Sequence, residues 1–435
     1  MTRSKSRDLA TTMVSFVEGL ALVALAAVLR HAYGAARTQL LKRRHKAPPR
    51  VTLLARALNA LLWLPSRLKL HEYFGWPMTL AALKTSAERK TRKAAWADRA
   101  DGKMDYREGY AHAIGLLNAR ALSPFGKFVA YDYLLRRLMA RLKVVDAVDR
   151  AGGAAALQAA APVRAPVFVL GLPRTGTTFL HRLLSLDPAA QYPRSYELLD
   201  PVGTDAKDRP IPEAKRVKYW QGKFDLIKRI VPQIEVTERA LVRARARALA
   251  RARSRARSPI LRSSGARAAG GGDVSLQQVM HELGALEPEE CILSMGVDVP
   301  ILPCTFHLLV QQPEVVFAWD VSGTYAHHRD QLSLLARRNG TERLRWMLKS
   351  PVHLIYVRHL QQVFKDAKIV WNHRDPSQSL PSLASLFRAF AEMFEGADID
   401  LAALGREQLA FWSAALRRCD DDLAAPGALD HAHVK

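Results

Sequence analysis

A chain of 435 residues, 49% hydrophobic and 24% charged, holds enough apolar residues for a large globular domain with additions, and this excludes disorder along its whole length. Its net charge of +24 is concentrated in two places: ten Lys and Arg against Asp8 and Glu18 in residues 1–50, and ten Arg against Glu238 and Asp273 in residues 237–279. The body keeps a modest surplus that suits an anionic substrate, no motif points to a specific nucleic acid, and Cys291, Cys304 and Cys419 have no metal-ligand spacing, so no metal or disulfide framework is expected.

The first element is an apolar stretch, Met13–Leu29, flanked by Arg3, Lys5, Arg7 and Arg30. Its 17 residues sit at the lower limit for crossing about 30 Å of hydrocarbon and include Glu18. The stretch predicts a single-pass membrane anchor within an N-terminal segment 1–50, with a cleaved targeting peptide or an interfacial helix as open alternatives. A helical region follows over 51–150. VTLLARALNALLWLP, ending at Pro65, reads as an amphipathic helix lying against membrane or core. From Asp105 to Arg150 the pattern is helical throughout, with Tyr106, Tyr110, Leu116, Leu117, Phe128, Leu134, Leu135, Leu138 and Leu142 recurring on one side. AGGAAALQAAAP after it reads as a linker.

Residues 160–435 read as an α/β domain. PVFVL (166–170), then GLPRTGTT, then FLHRLLSLDP give strand, glycine turn and helix in that order. Such a turn aims backbone N–H groups and the positive end of a helix at one point, which is the geometry that binds an anion. Gly171 and Gly176 have the spacing of a nucleoside-triphosphate loop, but Thr177 stands where that loop needs lysine, and the cation comes earlier as Arg174. The low-complexity Arg/Ala tract at 237–279 has no hydrophobic period and reads as a solvated insertion, with a polyanion-binding arm as the functional alternative. Downstream, RWMLKSP, HLIYVRHLQQVF and KIVWNHRDPSQSLPSLASL alternate strand and helix as a parallel sheet does, with Asp375 as N-cap and Pro376 as first helical residue.

The PRTGTT turn resembles the 5′-phosphosulfate loop of sulfotransferases, with Arg174 where cytosolic members carry lysine. Arg374 and Ser382, eight residues apart, match the arginine and serine of that family's second signature, which grip a 3′-phosphate. Glu197–Pro201 (ELLDP), Pro288–Cys291 (PEEC) and Leu348–Leu354 (LKSPVHL) resemble linking features of the same family. The resemblance covers about Asp105–Val236 and Met280–Leu386. It implies a P-loop-type parallel sheet flanked by helices, and transfer of a sulfuryl group from 3′-phosphoadenosine 5′-phosphosulfate to a hydroxyl or amine acceptor of unread identity, without a metal. Pro173, Arg174, Thr175, Gly176, Thr177, Thr178, Arg374 and Ser382 are then the donor-binding residues. Two features depart from the pattern: the arginine tract interrupts it, and the sequence stops at HAHVK, where a further strand and a donor-covering region are expected, so a truncated C-terminus is expected.

An acceptor hydroxyl loses its proton as it attacks, so a base is needed. Glu197 is the first choice, because it follows the loop arginine at nearly the separation seen in tyrosylprotein sulfotransferases, which it resembles with a two-residue offset. The competing reading pairs it with Arg194 or Arg182. Glu289, Glu290 and His353 are the other bases, and Lys349 approaches the donor from the other side. A P-loop phosphotransferase and a non-catalytic nucleotide- or polyanion-binding membrane protein are the alternative functions. Anchored enzymes that resemble this one place their catalytic domain in the Golgi lumen, and the sequon Asn339-Gly340-Thr341 suits that side. Three Lys/Arg before the apolar stretch and seven from Arg30 to Arg50 favour the opposite orientation. The lumen is the expectation retained.

Overall fold

The computed structural model describes residues 53–69, 71–97, 106–230, 310–395 and 400–434. The apolar stretch Met13–Leu29, the arginine tract, Glu289, Glu290, Cys291 and Cys304 lie outside the described residues. Among the described residues no helix is long and apolar enough to cross a membrane.

Five helices come first: α1 (Leu53–Arg67), α2 (Leu80–Thr91), α3 (Tyr106–Asn118), α4 (Pro124–Arg150) and α5 (Gly153–Ala160). The pattern that read as one helix from 105 to 150 is two. Ser123 restarts it at α4, accepting a hydrogen bond from the Gly126 N–H at 3.0 Å, with Pro124 as first helical residue. Tyr106, Tyr110, Leu117, Leu134, Leu135, Leu138 and Leu142 are buried together, as their spacing requires. The alanine-rich linker is also a helix, α5, because Leu157 is fully buried and alanine favours the helical backbone.

The sheet follows. Strand β1 (Val167–Leu170) leads into α6 (Thr177–Leu184), then β2 (Ala190–Gln191), α7 (Ser195–Leu199) and α8 (Glu213–Ile230). After the undescribed stretch come α9 (Pro313–Ala318), α10 (Ser322–Asn339), β3 (Arg345–Lys349), α11 (Val357–Val363), β4 (Lys368–Asn372), α12 (Pro376–Glu395), α13 (Leu401–Ala424) and β5 (Asp430–Val434). All pairings are parallel, in the order β2-β3-β1-β4-β5. The strand expected beyond HAHVK is formed by these residues themselves, which pair with β4 from Lys368↔Asp430 to Asn372↔Val434.

Continuous burial along β1 marks the centre of a sheet covered on both faces. Phe168, Leu170, Leu348, Ile369 and Trp371 pack there with Tyr325, Tyr356 and Phe364. The register sets Val169 beside Lys349 and Leu170 beside Trp371, so β1, β3 and β4 end at one level. That edge is where open α/β sheets bind ligands.

Candidate active site

The loop after β1 is shaped by two glycines. Gly171 has φ +154°, and a Cβ there would meet the Asn372 carbonyl oxygen at 2.5 Å, so only glycine lets β1 and β4 approach so closely. Gly176, at φ +102°, delivers the chain into α6. Between them Arg174 adopts φ +72°, an unusual conformation for a long side chain. Thr175 braces the turn, its hydroxyl donating to the Leu172 carbonyl at 2.7 Å, and the Asn372 side-chain amide donates to the Thr175 carbonyl at 3.0 Å. Asn372 was missed in the sequence. The signal was an amide side chain closing a strand two residues before Arg374.

Three cations from three parts of the chain meet at this loop. Arg174 Nε donates to Ser382 Oγ at 3.1 Å, across 208 residues of sequence. Arg374 Nη1 donates to the Arg174 carbonyl at 2.9 Å, and its remaining guanidinium nitrogens reach Gln378 Oε1 at 3.1 and 3.3 Å. Lys349, fully buried at the end of β3, donates to Thr178 Oγ1 at 3.0 Å. Asp375 caps α12 by accepting from the Ser377 N–H at 2.9 Å, and its hydrogen bonds to Ser377 hold its carboxyl below the usual range. The structure thus brings together Arg174, Thr175, Gly176, Thr177, Thr178, Lys349, Arg374 and Ser382, with Pro173 half-buried in the same turn.

Behind the loop lie imidazoles held neutral. His181, on α6, bonds the Met347 carbonyl at 2.9 Å, and burial pushes its pKa down to about 3. His353 is fully buried, with Nδ1 2.8 Å from the Tyr325 hydroxyl and its ring edge-on to Phe168. Burial, with lesser contributions from His328 and Lys349, holds it well below the ordinary range. His353 is therefore placed as a core residue, not as a base facing an acceptor.

Glu197 is placed away from the loop's own contacts. Its side chain is 3% exposed, and Oε1 accepts from Arg338 Nη2 at 2.8 Å and Asn339 Nδ2 at 2.9 Å. Oε2 accepts from the Arg194 N–H at 3.0 Å, closing a capping box on α7. The partner is Arg338 at the end of α10, whereas the Arg194 side chain pairs with Glu213. The amide of the sequon's Asn339 is engaged in this same cluster. Among the described residues no group of three or more His, Cys, Asp or Glu is placed to hold a metal ion.

The profile of the Sulfotransferase family matches residues 166–434. The chain belongs to the sulfotransferase family. In fold it is similar to sulfotransferase STF1 from Mycobacterium tuberculosis H37Rv, with a TM-score of 0.57 and 22% identity over 82% of this chain and 84% of that one. It is likewise similar to sulfotransferase STF9 from Mycobacterium avium, with a TM-score of 0.57 and 21% identity over 82% and 78% of the two chains. No curated protein matches this sulfotransferase in sequence.

Proposed function

We propose that this sulfotransferase takes its sulfuryl group from 3′-phosphoadenosine 5′-phosphosulfate and passes it to a hydroxyl or amine acceptor. One observation carries the reading: Arg174, Arg374 with Ser382, and Lys349 converge from three strand ends on a single glycine turn. The turn fits a phosphosulfate. Its glycines let the chain turn at positive φ close to β4, and the first N–H groups of α6 have no helical acceptor of their own.

In the transfer, the sulfur–oxygen bond to the 5′-phosphate breaks as a bond from sulfur to the acceptor oxygen or nitrogen forms, and the acceptor releases a proton. Charge gathers on the leaving phosphate oxygen. Arg174 and the amides of Gly176, Thr177 and Thr178 stabilise it there, and Lys349, aligned by Thr178, approaches from β3. Arg374 and Ser382 hold the 3′-phosphate at the head of α12, the guanidinium supplying a charge-assisted contact. Of the bases read in the sequence, Glu197 and His353 are committed elsewhere, which leaves Glu289 and Glu290, outside the described residues, for the acceptor's proton.

The test is ligand-dependent melting. 3′-Phosphoadenosine 5′-phosphate is expected to raise the Tm well above the shift given by magnesium ATP, because ligands that bind only the folded state stabilise it. A larger shift with ATP would replace the donor assignment with a phosphotransferase reading.

A further inference from the structure

Helix α1 is apolar on two faces, and among the described residues one of them packs against the enzyme. Leu54, Ala55, Leu58 and Leu62 face inward against Phe125, Val129 and Ile230. Ala57, Leu61, Leu64 and Leu68 recur at helical spacing on the other side, where the three leucines are 48%, 53% and 57% exposed and neighbouring Trp63 is 57% exposed. A surface helix normally turns polar residues outward. The charge along this part of the sequence has one sign. From residue 19 to residue 71 the sequence contains ten Lys and Arg and no Asp or Glu, and Arg56, Arg67 and Lys69 stand exposed on or beside α1 itself.

We propose that the outer face of α1 docks on the surface of an anionic phospholipid bilayer, with Leu61, Trp63, Leu64 and Leu68 entering the headgroup boundary and the basic residues meeting lipid phosphates. Exposed leucines and a tryptophan beside lysine and arginine are the composition of an interfacial helix. Uniform positive charge draws such a helix to anionic lipid. The same charge argues against a second copy as the occupant, since a symmetric pairing would bring two basic, acid-free helices together. The inner face fixes the helix to the enzyme, so docking would orient the whole domain on the bilayer.

The test uses the full chain with vesicles of phosphatidylcholine alone and of phosphatidylcholine mixed with phosphatidylglycerol, some carrying bromine-labelled acyl chains. Wild type should bind the anionic vesicles and lose more tryptophan fluorescence to the brominated chains than Trp63→Phe does. Leu64→Glu/Leu68→Glu should lower the affinity about tenfold or more, while keeping the wild-type Tm and its 3′-phosphoadenosine 5′-phosphate affinity. Equal quenching of wild type and Trp63→Phe overturns the proposal, even where Met13–Leu29 holds both to the vesicle. A concentration-dependent dimer abolished by the double substitution, with no quenching of Trp63, also overturns it and makes the face a contact between copies.

Discussion

Two charged clusters in this sulfotransferase use the same side chains in different ways. Around α7, cations end on acids and carbonyls of the protein: Arg338 on Glu197, Lys143 on Asp200 at 3.5 Å and the Thr204 carbonyl, Arg137 on the carbonyls of Leu198 and Leu199. At the loop, Arg174, Arg374 and Lys349 brace the turn, with hydrogen bonds that include a serine, a threonine, an amide oxygen and a backbone carbonyl. The first set of contacts joins helices, whereas the second joins the ends of β1, β3 and β4 around one glycine turn. The first cluster ties α4, α7 and α10 together. The second gathers three cations at the edge where we propose that the donor binds.

The largest expected effect concerns the layer behind the loop. His181 and His328 are held at about 3, and His353 well below its ordinary 6.5, mainly by burial. As pH falls below 6.5 the unfolded chain takes up these protons while the folded one does not, so stability is full above that pH and declines toward 3. The two groups held at about 3 make the protein about 4 kcal/mol less stable at pH 5 than at pH 7, and His353 acts in the same direction. Urea unfolding at the two pH values measures this, and equal stabilities would mean that the imidazoles are charged in the fold. Next comes Arg174→Ala, expected to lower kcat by about 10²–10³ with a small change in Tm, as for loss of a group that stabilises developing charge. A large Tm loss instead would make Arg174 a structural cation like Arg338.

The loop was legible because its requirements are local. A strand, two glycines and a cation within eight positions leave few other uses, and Arg374 with Ser382 stand at strand end and two helical turns on. The role of Glu197 was not legible, because its partner Arg338 lies 141 residues away and becomes a neighbour only when α10 returns to β3. The surroundings of His353 were not legible for a related reason. KSPVH resembles a strand end facing a site, yet the 3-10 turn Pro351–Ile355 folds that imidazole back under Phe168. The break at Ser123 and helix α5 were hidden by composition, since an apolar pattern crosses the first and glycine and alanine fill the second.

Removing one member of each cluster sharpens the contrast. Arg338→Met leaves the buried Glu197 carboxylate without its ion-pair partner and should cost about 3 kcal/mol of stability with nucleotide affinity unchanged. Arg374→Ala should weaken 3′-phosphoadenosine 5′-phosphate binding by about 2 kcal/mol, read by titration calorimetry. Here Tm should change little, since the contact to Arg174 is with a carbonyl on a half-buried surface. If the two effects were exchanged, the division between folding charge and binding charge would fail.

The smallest expected effect tests the division at its most contested residue. Glu197→Gln keeps an oxygen for Arg338 and Asn339 but sets an amide against the Arg194 N–H, where Oε2 now accepts. One lost capping bond and a weakened ion pair should cost about 1–2 kcal/mol in urea unfolding. Turnover is the decisive reading. A carboxylate bonded by a guanidinium, a side-chain amide and a backbone N–H has three of its about four acceptor directions used, and the side chain is buried. The kcat of Glu197→Gln measured with saturating donor should therefore match wild type, while one of Glu289→Gln and Glu290→Gln should fall by about 10² or more, the contribution of a positioned base. A collapse of kcat in Glu197→Gln with its fold intact would return the base to α7 and show that the cluster opens during turnover.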